Sequence, residues 1–284
     1  MSEATSVPSR KARDPYEVGR WLVIAFAVLV VIAMAIPAFF VVPVSFSATR
    51  FLKFPPETLS LRWYESYLTT PEWTESTVYS LVLAVLTTAL SLLIGIPAAF
   101  GLARGTFRGR QLVTLLIISP LVVPVILIAI AEYFFMAELH LIGTTPGLVI
   151  AHTLLAMPFV VIIVTASLRG YDRSYERAAM SMGASPLRTF RYVTLPLIRP
   201  SVISAALFAF LASFGEFLVS LFVIGSTRST LPIQLWKGIR FETNPTIAAA
   251  ASLLVGVSLL ALFAVEVARW QSRRRGVSRP MTPG

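Results

Sequence analysis

Tyr171-Asp172-Arg173-Ser174-Tyr175-Glu176-Arg177-Ala178-Ala179-Met180-Ser181-Met182-Gly183-Ala184-Ser185-Pro186, running on to Leu195-Pro196, is the segment that decides how this chain is read. It is too polar for a hydrocarbon interior and too patterned for an irregular linker. Ser174 is placed to cap a first helix, with Glu176 in its first turn, where a carboxylate suits the positive end of the helix dipole. Gly183 stands where a left-handed residue would close that helix. Ser185 followed by Pro186 then reads as the N-cap and first residue of a second helix. Tyr175, Ala178, Ala179 and Met182 recur at i, i+3, i+4 and i+7, a small apolar face suited to seating in another protein's groove, and arginines occupy the rest.

On either side the chain turns apolar. Over 284 residues it is 56% hydrophobic and only 13% charged, outside the range of soluble domains. Crossing roughly 30 Å of hydrocarbon takes about 20 helical residues. Six runs are long enough: Trp21 to Val44, Thr77 to Ala103, Leu112 to Met136, Gly147 to Leu168, Ser201 to Ile224 and Thr246 to Arg269. None alternates with the period of a barrel strand, so their backbone polar groups must be satisfied within helices. The first run exceeds a signal-peptide core and no small-x-small cleavage site follows it, so it reads as a spanning helix. The expected organisation is a tail over 1–20, a first helix over 21–44 and a polar outer connection over 45–76, with a short helix near Ser60 to Leu68. A five-helix core over 77–269 then carries the loop from Arg169 to Pro200, and a basic tail follows over 270–284.

A net charge of +10 would suit nucleic acid as well as membrane topology, and the position of the charges decides between them. Eighteen of the 24 Lys and Arg fall in the N-terminal tail, the connection after the second run, the Arg169 to Pro200 loop and the C-terminal end; six fall on the other side. This is the positive-inside asymmetry of a membrane protein with both termini and the loop in the cytoplasm, and it leaves no role for nucleic acid. Trp21 and Trp270 at inner ends, with Trp63, Trp73 and Trp236 near outer ends, fit an interfacial aromatic belt. Pro37, Pro43, Pro97, Pro120, Pro124 and Pro158 are expected to kink or interrupt helices. The absence of cysteine removes disulfide and thiolate chemistry. His140 and His152 lack partners at metal-ligand spacing, and no G-x-S-x-G nucleophile motif occurs.

Ionisable residues inside spans are costly and mark functional positions. Glu132 lies beside Tyr133, Phe134 and Phe135 toward the outer half of the third run, and Glu216 lies mid-helix in Phe214-Gly215-Glu216-Phe217. Glu132, Tyr133 and Glu216 are the candidates for lining a path through the membrane. Glu266 sits near an inner end, where Arg269 three residues on is a simple partner.

The spacing of Glu176, Ala178, Ala179, Gly183 and the Leu195-Pro196 pair resembles the Glu-Ala-Ala signature of binding-protein-dependent ABC importer permeases. The resemblance implies the type I permease fold: an all-α protein of six transmembrane helices in a bacterial inner membrane, both termini cytoplasmic. It implies that Glu176, Ala178, Ala179, Gly183, Leu195 and Pro196 couple the bundle to a dimeric cytoplasmic ATPase, with Ala184 and Ser185 as further contacts. No G-x-x-x-x-G-K-[ST] loop occurs, so ATP and Mg belong to that partner and this chain binds no cofactor. A second permease subunit, paralogue or copy, and an extracytoplasmic binding protein are implied as partners alongside membrane lipid.

The stretch Ser213 to Leu253, with Leu231-Pro232-Ile233-Gln234-Leu235-Trp236 and Asn244-Pro245-Thr246-Ile247-Ala248-Ala249, resembles the spermidine/putrescine branch of these permeases. That implies a polyamine cargo and a heterodimeric permease. Members often carry an acidic pair where this chain has Gly215-Glu216, and the branch extends to amino-acid-like compounds and opines, which remain alternatives. An ATP-independent secondary transporter or channel is the alternative of a different class, and it gives no reason for the patterned loop.

Overall fold

The computed structural model describes residues 15–49, 54–225, 228–241 and 245–277, and these are helical, with one isolated bridge between Ser47 and Leu59 in place of any strand. In chain order the helices are α1 (Pro15–Ser45), α2 (Arg62–Thr69), α3 (Pro71–Arg104), α4 (Arg110–Ile118), α5 (Val125–Glu138), α6 (Thr145–Gly170) and α7 (Ser174–Ser181). They continue with α8 (Pro186–Thr189), α9 (Leu195–Phe214), α10 (Leu218–Val223), α11 (Leu231–Phe241) and α12 (Thr246–Val277). The side chains of Arg269 and Trp270, and with them the expected Glu266–Arg269 pair, lie outside what is described, as do residues 1–14 and 278–284 of the two tails.

Among the described residues five helical runs are long and apolar enough to span a membrane, Gly19–Ser45 of α1, α3, α6, the run Pro186–Phe214 and Thr246–Val267 of α12, and the bent pair α4–α5 makes a sixth if it is taken as one broken span. The single third span expected over Leu112 to Met136 is instead two helices, α4 and α5, meeting at 103°. Pro120 and Pro124 cause this. Each lacks an amide proton for the helix ladder, and Pro124 disfavours helical geometry at Val123 before it. The chain passes through a 3₁₀ turn at Ser119–Leu121, where the Ser119 carbonyl accepts from the amides of Val122 and Val123 at 3.0 Å each, and α5 starts only after an extended Pro124. Neither piece alone reaches across roughly 30 Å of hydrocarbon.

The fifth expected span, Ser201 to Ile224, is also revised. Its helix begins earlier, within the polar loop, and α9 stops at Phe214; Gly215, Glu216 and Phe217 form a break before α10. Glu216 is therefore not mid-helix. The weak helix preference of Gly215 is the local sequence reason.

The core forms around α6, which packs against both α3 and α9. Ala99 and Ala103 of α3, Ala156 and Val160 of α6, and Ala205 and Ala209 of α9 are all buried in one cluster. Without a hydrophobic driving force in lipid, helices associate through close packing, and small residues permit it. Gly95 shows how close the approach is: a Cβ there would stand 2.7 Å from the Val160 Cγ1 atom.

Helix α2 lies where the short helix near Ser60 to Leu68 was expected. The Trp63 indole N–H donates to the Ser47 carbonyl at 2.7 Å, and the Tyr64 hydroxyl bonds Ser45 Oγ at 2.7 Å and Ser252 Oγ at 2.8 Å, tying the end of α1 to α12. Trp63 and Trp73 are thus buried inside the protein, and only Trp21 and Trp236 among the described tryptophans are exposed as a belt requires. Trp63 is held by its N–H bond, and Trp73 packs against Tyr67 with ring centroids 5.9 Å apart. Helix α1 packs along α12 and leaves an apolar surface of Leu22, Phe26, Leu29 and Phe39 that matches hydrocarbon.

Replacing Gly95 by Leu is expected to drive α3 and α6 apart and cost about 1–3 kcal/mol of overpacking. Gly101, whose added Cβ would meet nothing within 4 Å, is the control: Gly101→Ala should be neutral or mildly stabilising. Thermal melting of the two variants in detergent checks this.

Candidate functional site

The polar loop folds as helix, turn, helix, and each closure has a visible cause. At the start of α7, Ser174 is the first helical residue and not the cap; Arg173 holds the cap position without a side-chain cap bond, and Asp172 just before it accepts the Ser174 amide on Oδ1 at 2.9 Å. That bond holds the Asp172 carboxyl below the usual carboxylate range.

At the other end Gly183 adopts φ +87°, the left-handed region that L side chains rarely occupy. The Ala184 amide donates to the Ala179 carbonyl at 3.1 Å and the Gly183 amide to Met180 at 2.9 Å, the paired bonds of a Schellman closure. Ser185 then caps α8, its hydroxyl accepting the Arg188 amide at 3.4 Å.

Between α8 and α9 the helix widens into a π turn, Phe190–Thr194, in which the Leu195 amide donates to the Phe190 carbonyl five residues back. Pro196 supplies the reason, since it has no amide for the carbonyl four residues before it. Leu195 packs against the α3–α6–α9 cluster, while Pro196 lies exposed on the first turn of α9.

The apolar face expected from Tyr175, Ala178, Ala179 and Met182 is split. Tyr175, Ala178 and Met182 are exposed, whereas Ala179 is turned inward beside Glu176, which is buried. The cause lies in what Glu176 meets. Its Oε1 accepts the Arg104 guanidinium at 3.3 Å, the Thr194 hydroxyl at 3.0 Å and the Tyr171 hydroxyl. Arg104 also lies 4.8 Å over the Tyr171 ring, and the Arg173 guanidinium donates to the Ala103 carbonyl at 3.0 Å. Burial, and then the adjacent Glu176, keep the Tyr171 phenol above its usual range, so it remains a donor. The loop is thereby fastened to the end of α3, and the Phe100 and Phe190 rings, edge to face at 5.8 Å, add an apolar contact between the same two elements.

Of the two candidate acids, Glu216 sits on irregular backbone and Glu132 within the regular helix α5. At the α9–α10 break the Glu216 Oε1 accepts the Val219 amide at 2.9 Å. The break is pinned from α6 by His152, fully buried, whose two ring nitrogens bond Ser213 Oγ and Ser220 Oγ at 2.9 Å each. Glu132 on α5 is buried and lines a cavity of about 390 Å³ at the α4–α5 elbow, with Ser119, Leu127 and Leu154. Tyr133 is partly exposed, edge-on to Phe134 at 5.6 Å, and does not line that cavity. A larger cleft of about 840 Å³ lies beside the start of α3 and α11, with Glu72, Glu75, Tyr79, Arg228 and Lys237 in its walls.

Sequence reasoning did not find Arg104, Tyr171 and Thr194 as partners of Glu176, nor His152 as the pin of the break. Arg104 reads as one more inner-side cation. The partnerships exist only because α3, α6 and α9 converge.

The bundle fastens the short helix α7 to the end of α3 by a largely sheltered ion pair and leaves that helix's other face apolar and exposed. Residues 91–275 match the family described as binding-protein-dependent transport system inner membrane component, and the chain belongs to that family, the permeases of ABC importers. It is 34% identical over 204 residues, 69% of this chain and 73% of the relative, to the putrescine transport system permease protein PotI of Escherichia coli K12. It is 28% identical over 253 residues, 88% of this chain and 94% of the relative, to the spermidine/putrescine transport system permease protein PotC of the same organism. The fold is similar, at a TM-score of 0.65 and 19% identity over 94% of this chain and 99% of the other, to a solved bacterial ABC transporter involved in import of the acidic polysaccharide alginate.

If Glu176 latches the loop to α3, a double-mutant cycle on Arg104→Ala and Glu176→Gln should show a coupling energy of about 1–3 kcal/mol in detergent stability. Gly183→Val should lower transport far more than Gly183→Asn, because asparagine tolerates the left-handed region and a β-branched residue does not. Uptake assays on the two variants separate backbone strain from side-chain loss.

Proposed function

We propose that this chain is one half of the membrane path of a bacterial ABC importer for polyamines. In this reading it docks a separate ATPase dimer, which alone binds ATP and Mg, pairs with a paralogous permease and receives cargo from an extracytoplasmic binding protein. The chain itself performs no catalysis.

The observation that carries the docking assignment is the exposed apolar surface of the loop: Tyr175, Met182, Leu187 and Tyr192 stand out from a segment otherwise rich in arginine. Apolar side chains exposed together on a polar segment mark an interaction site. Ala178, Ala184 and Ser185 belong to that outer surface as contacts. Gly183 sets the turn that presents it. Glu176 and Ala179 face inward and hold the helix to the bundle, while Leu195 and Pro196 join it to α9, so movement of the seated helix is handed to α3 and α9 together. Glu132 and Glu216, with Tyr133 nearby, are the candidates for the path. The relation to putrescine and spermidine/putrescine permeases supports the polyamine cargo.

The lack of cysteine makes orientation directly testable. A single cysteine at Ser185 should be protected from a membrane-impermeant maleimide in intact cells, and one at Ser229 should react. Labelling of Ser185 from outside would reverse the topology. For function, the permease pair, ATPase and binding protein reconstituted in liposomes should accumulate putrescine or spermidine only with ATP. Uptake without the ATPase would identify an ATP-independent carrier, and ATP-driven uptake of another solute with polyamines ignored would sink the cargo assignment.

A further inference from the structure

Irregular backbone at membrane depth persists only where protein covers it or where it borders a cavity. The α4–α5 elbow borders one, of about 390 Å³, and its walls are mainly hydrocarbon: Leu116, Val123, Leu127, Phe135 and Leu154. Into this apolar space the sequence puts one carboxylate. Glu132 is only 6% exposed, and its Oε2 has no hydrogen-bond partner. An acid desolvated among apolar side chains with an oxygen unpaired is costly, by several kcal/mol for an isolated charge, unless something satisfies it.

We infer that this elbow cavity is a binding station for an aliphatic ammonium ion, with the Glu132 carboxylate taking the charged nitrogen and the apolar walls taking the methylene chain. The inference rests on the polyamine reading above and assigns the residues that recognise the cargo within the membrane. The chemistry of the lining selects this class. A hydrated metal cation would need several oxygen ligands, and no group of three or more metal-capable side chains occurs among the described residues. An anion would be repelled by Glu132. A flexible chain of methylenes ending in an ammonium group matches one carboxylate and a hydrocarbon wall.

Glu216 stands at the α9–α10 break, its carboxylate accepting the Val219 amide while His152 pins the break from α6, and α10 packs against α5. Ser119, at the elbow itself, contributes a hydroxyl to the cavity wall.

The test uses the complete importer in liposomes. Glu132→Gln keeps shape and removes charge, so ATP-driven putrescine uptake is expected to fall about 10- to 100-fold, the loss of one charge-assisted hydrogen bond, while binding-protein-stimulated ATP hydrolysis persists. Glu132→Asp should retain part of the uptake. In the wild-type complex, modification of Glu132 by a hydrophobic carbodiimide, read by peptide mass spectrometry, should slow in excess putrescine and not in excess 1,4-butanediol. This second measurement decides the matter even if the variant fails to assemble.

Wild-type uptake by Glu132→Gln, or labelling indifferent to putrescine, would overturn the station; the latter would mean that Glu132 is satisfied by the second permease subunit. If the wild-type importer carries no polyamine, the cargo reading fails and the station with it. If it carries polyamine and Glu132→Gln is indifferent, only the station fails.

Discussion

One carboxylate oxygen fastens the short helix α7 to the long helices of the core. Glu176 Oε1 gathers donors from Arg104 at the end of α3, from Tyr171 just after α6 and from Thr194 just before α9. Those three helices are the ones whose small residues make the membrane core. The helix that presents an exposed apolar surface is thus bonded, through its inner side, to every element of the core at once. Because the pair is largely sheltered from water, its attraction is less screened than that of a surface ion pair, and removing either partner would strand the other charge. A rigid fastening of this kind lets displacement of a short helix act on long ones without being absorbed by a flexible linker.

The membrane interior is built on a different constraint. Hydrocarbon supplies no hydrogen bonds, so each interruption of a helix must be satisfied locally. The two interruptions meet this in different ways. At the α4–α5 elbow, the Ser119 carbonyl collects two amides and the bend opens a cavity. At the α9–α10 break, Glu216 accepts the Val219 amide and His152 bridges serines on both sides. Of the acidic residues that looked expensive as isolated letters in apolar runs, Glu216 sits where regular helix is already lost, while Glu132 sits within α5 and lines the cavity that the elbow opens.

The long spans and the capped loop were legible in the sequence because they depend on local signals: apolar length, glycine at a left-handed position, serine before proline. Pro120 and Pro124 announced an interruption but not its size, since two prolines four apart are compatible with a mild kink as well as with a sharp elbow. Gly215 gave too weak a signal to end a helix by itself. The inward turn of Glu176 and Ala179 was not legible, because the periodicity of an eight-residue helix does not say which side faces the bundle when both sides hold small or charged residues. Tryptophans misled for a related reason. Trp63 and Trp73 have the right neighbours for an interface, yet α2 folds back and encloses them.

The π turn at Phe190–Thr194 has a consequence for phase. Each residue of an α-helix advances the direction of its side chain by about 100°, so one extra residue in a turn offsets everything after it by that amount. The segment from Pro186 to Phe214 is therefore continuous in path but not in phase: its first part points by one clock and its last part by another. Thr194, Ile198, Ala205 and Ala209 all follow the offset and, at i, i+4, i+11 and i+15, share one face, so the latch and the core are in phase with each other and the offset re-aims only the loop before them. Deleting one residue at the π turn would make the helix more regular and turn α8, with the exposed surface it carries, by about 100° relative to the face that holds both the latch and the core.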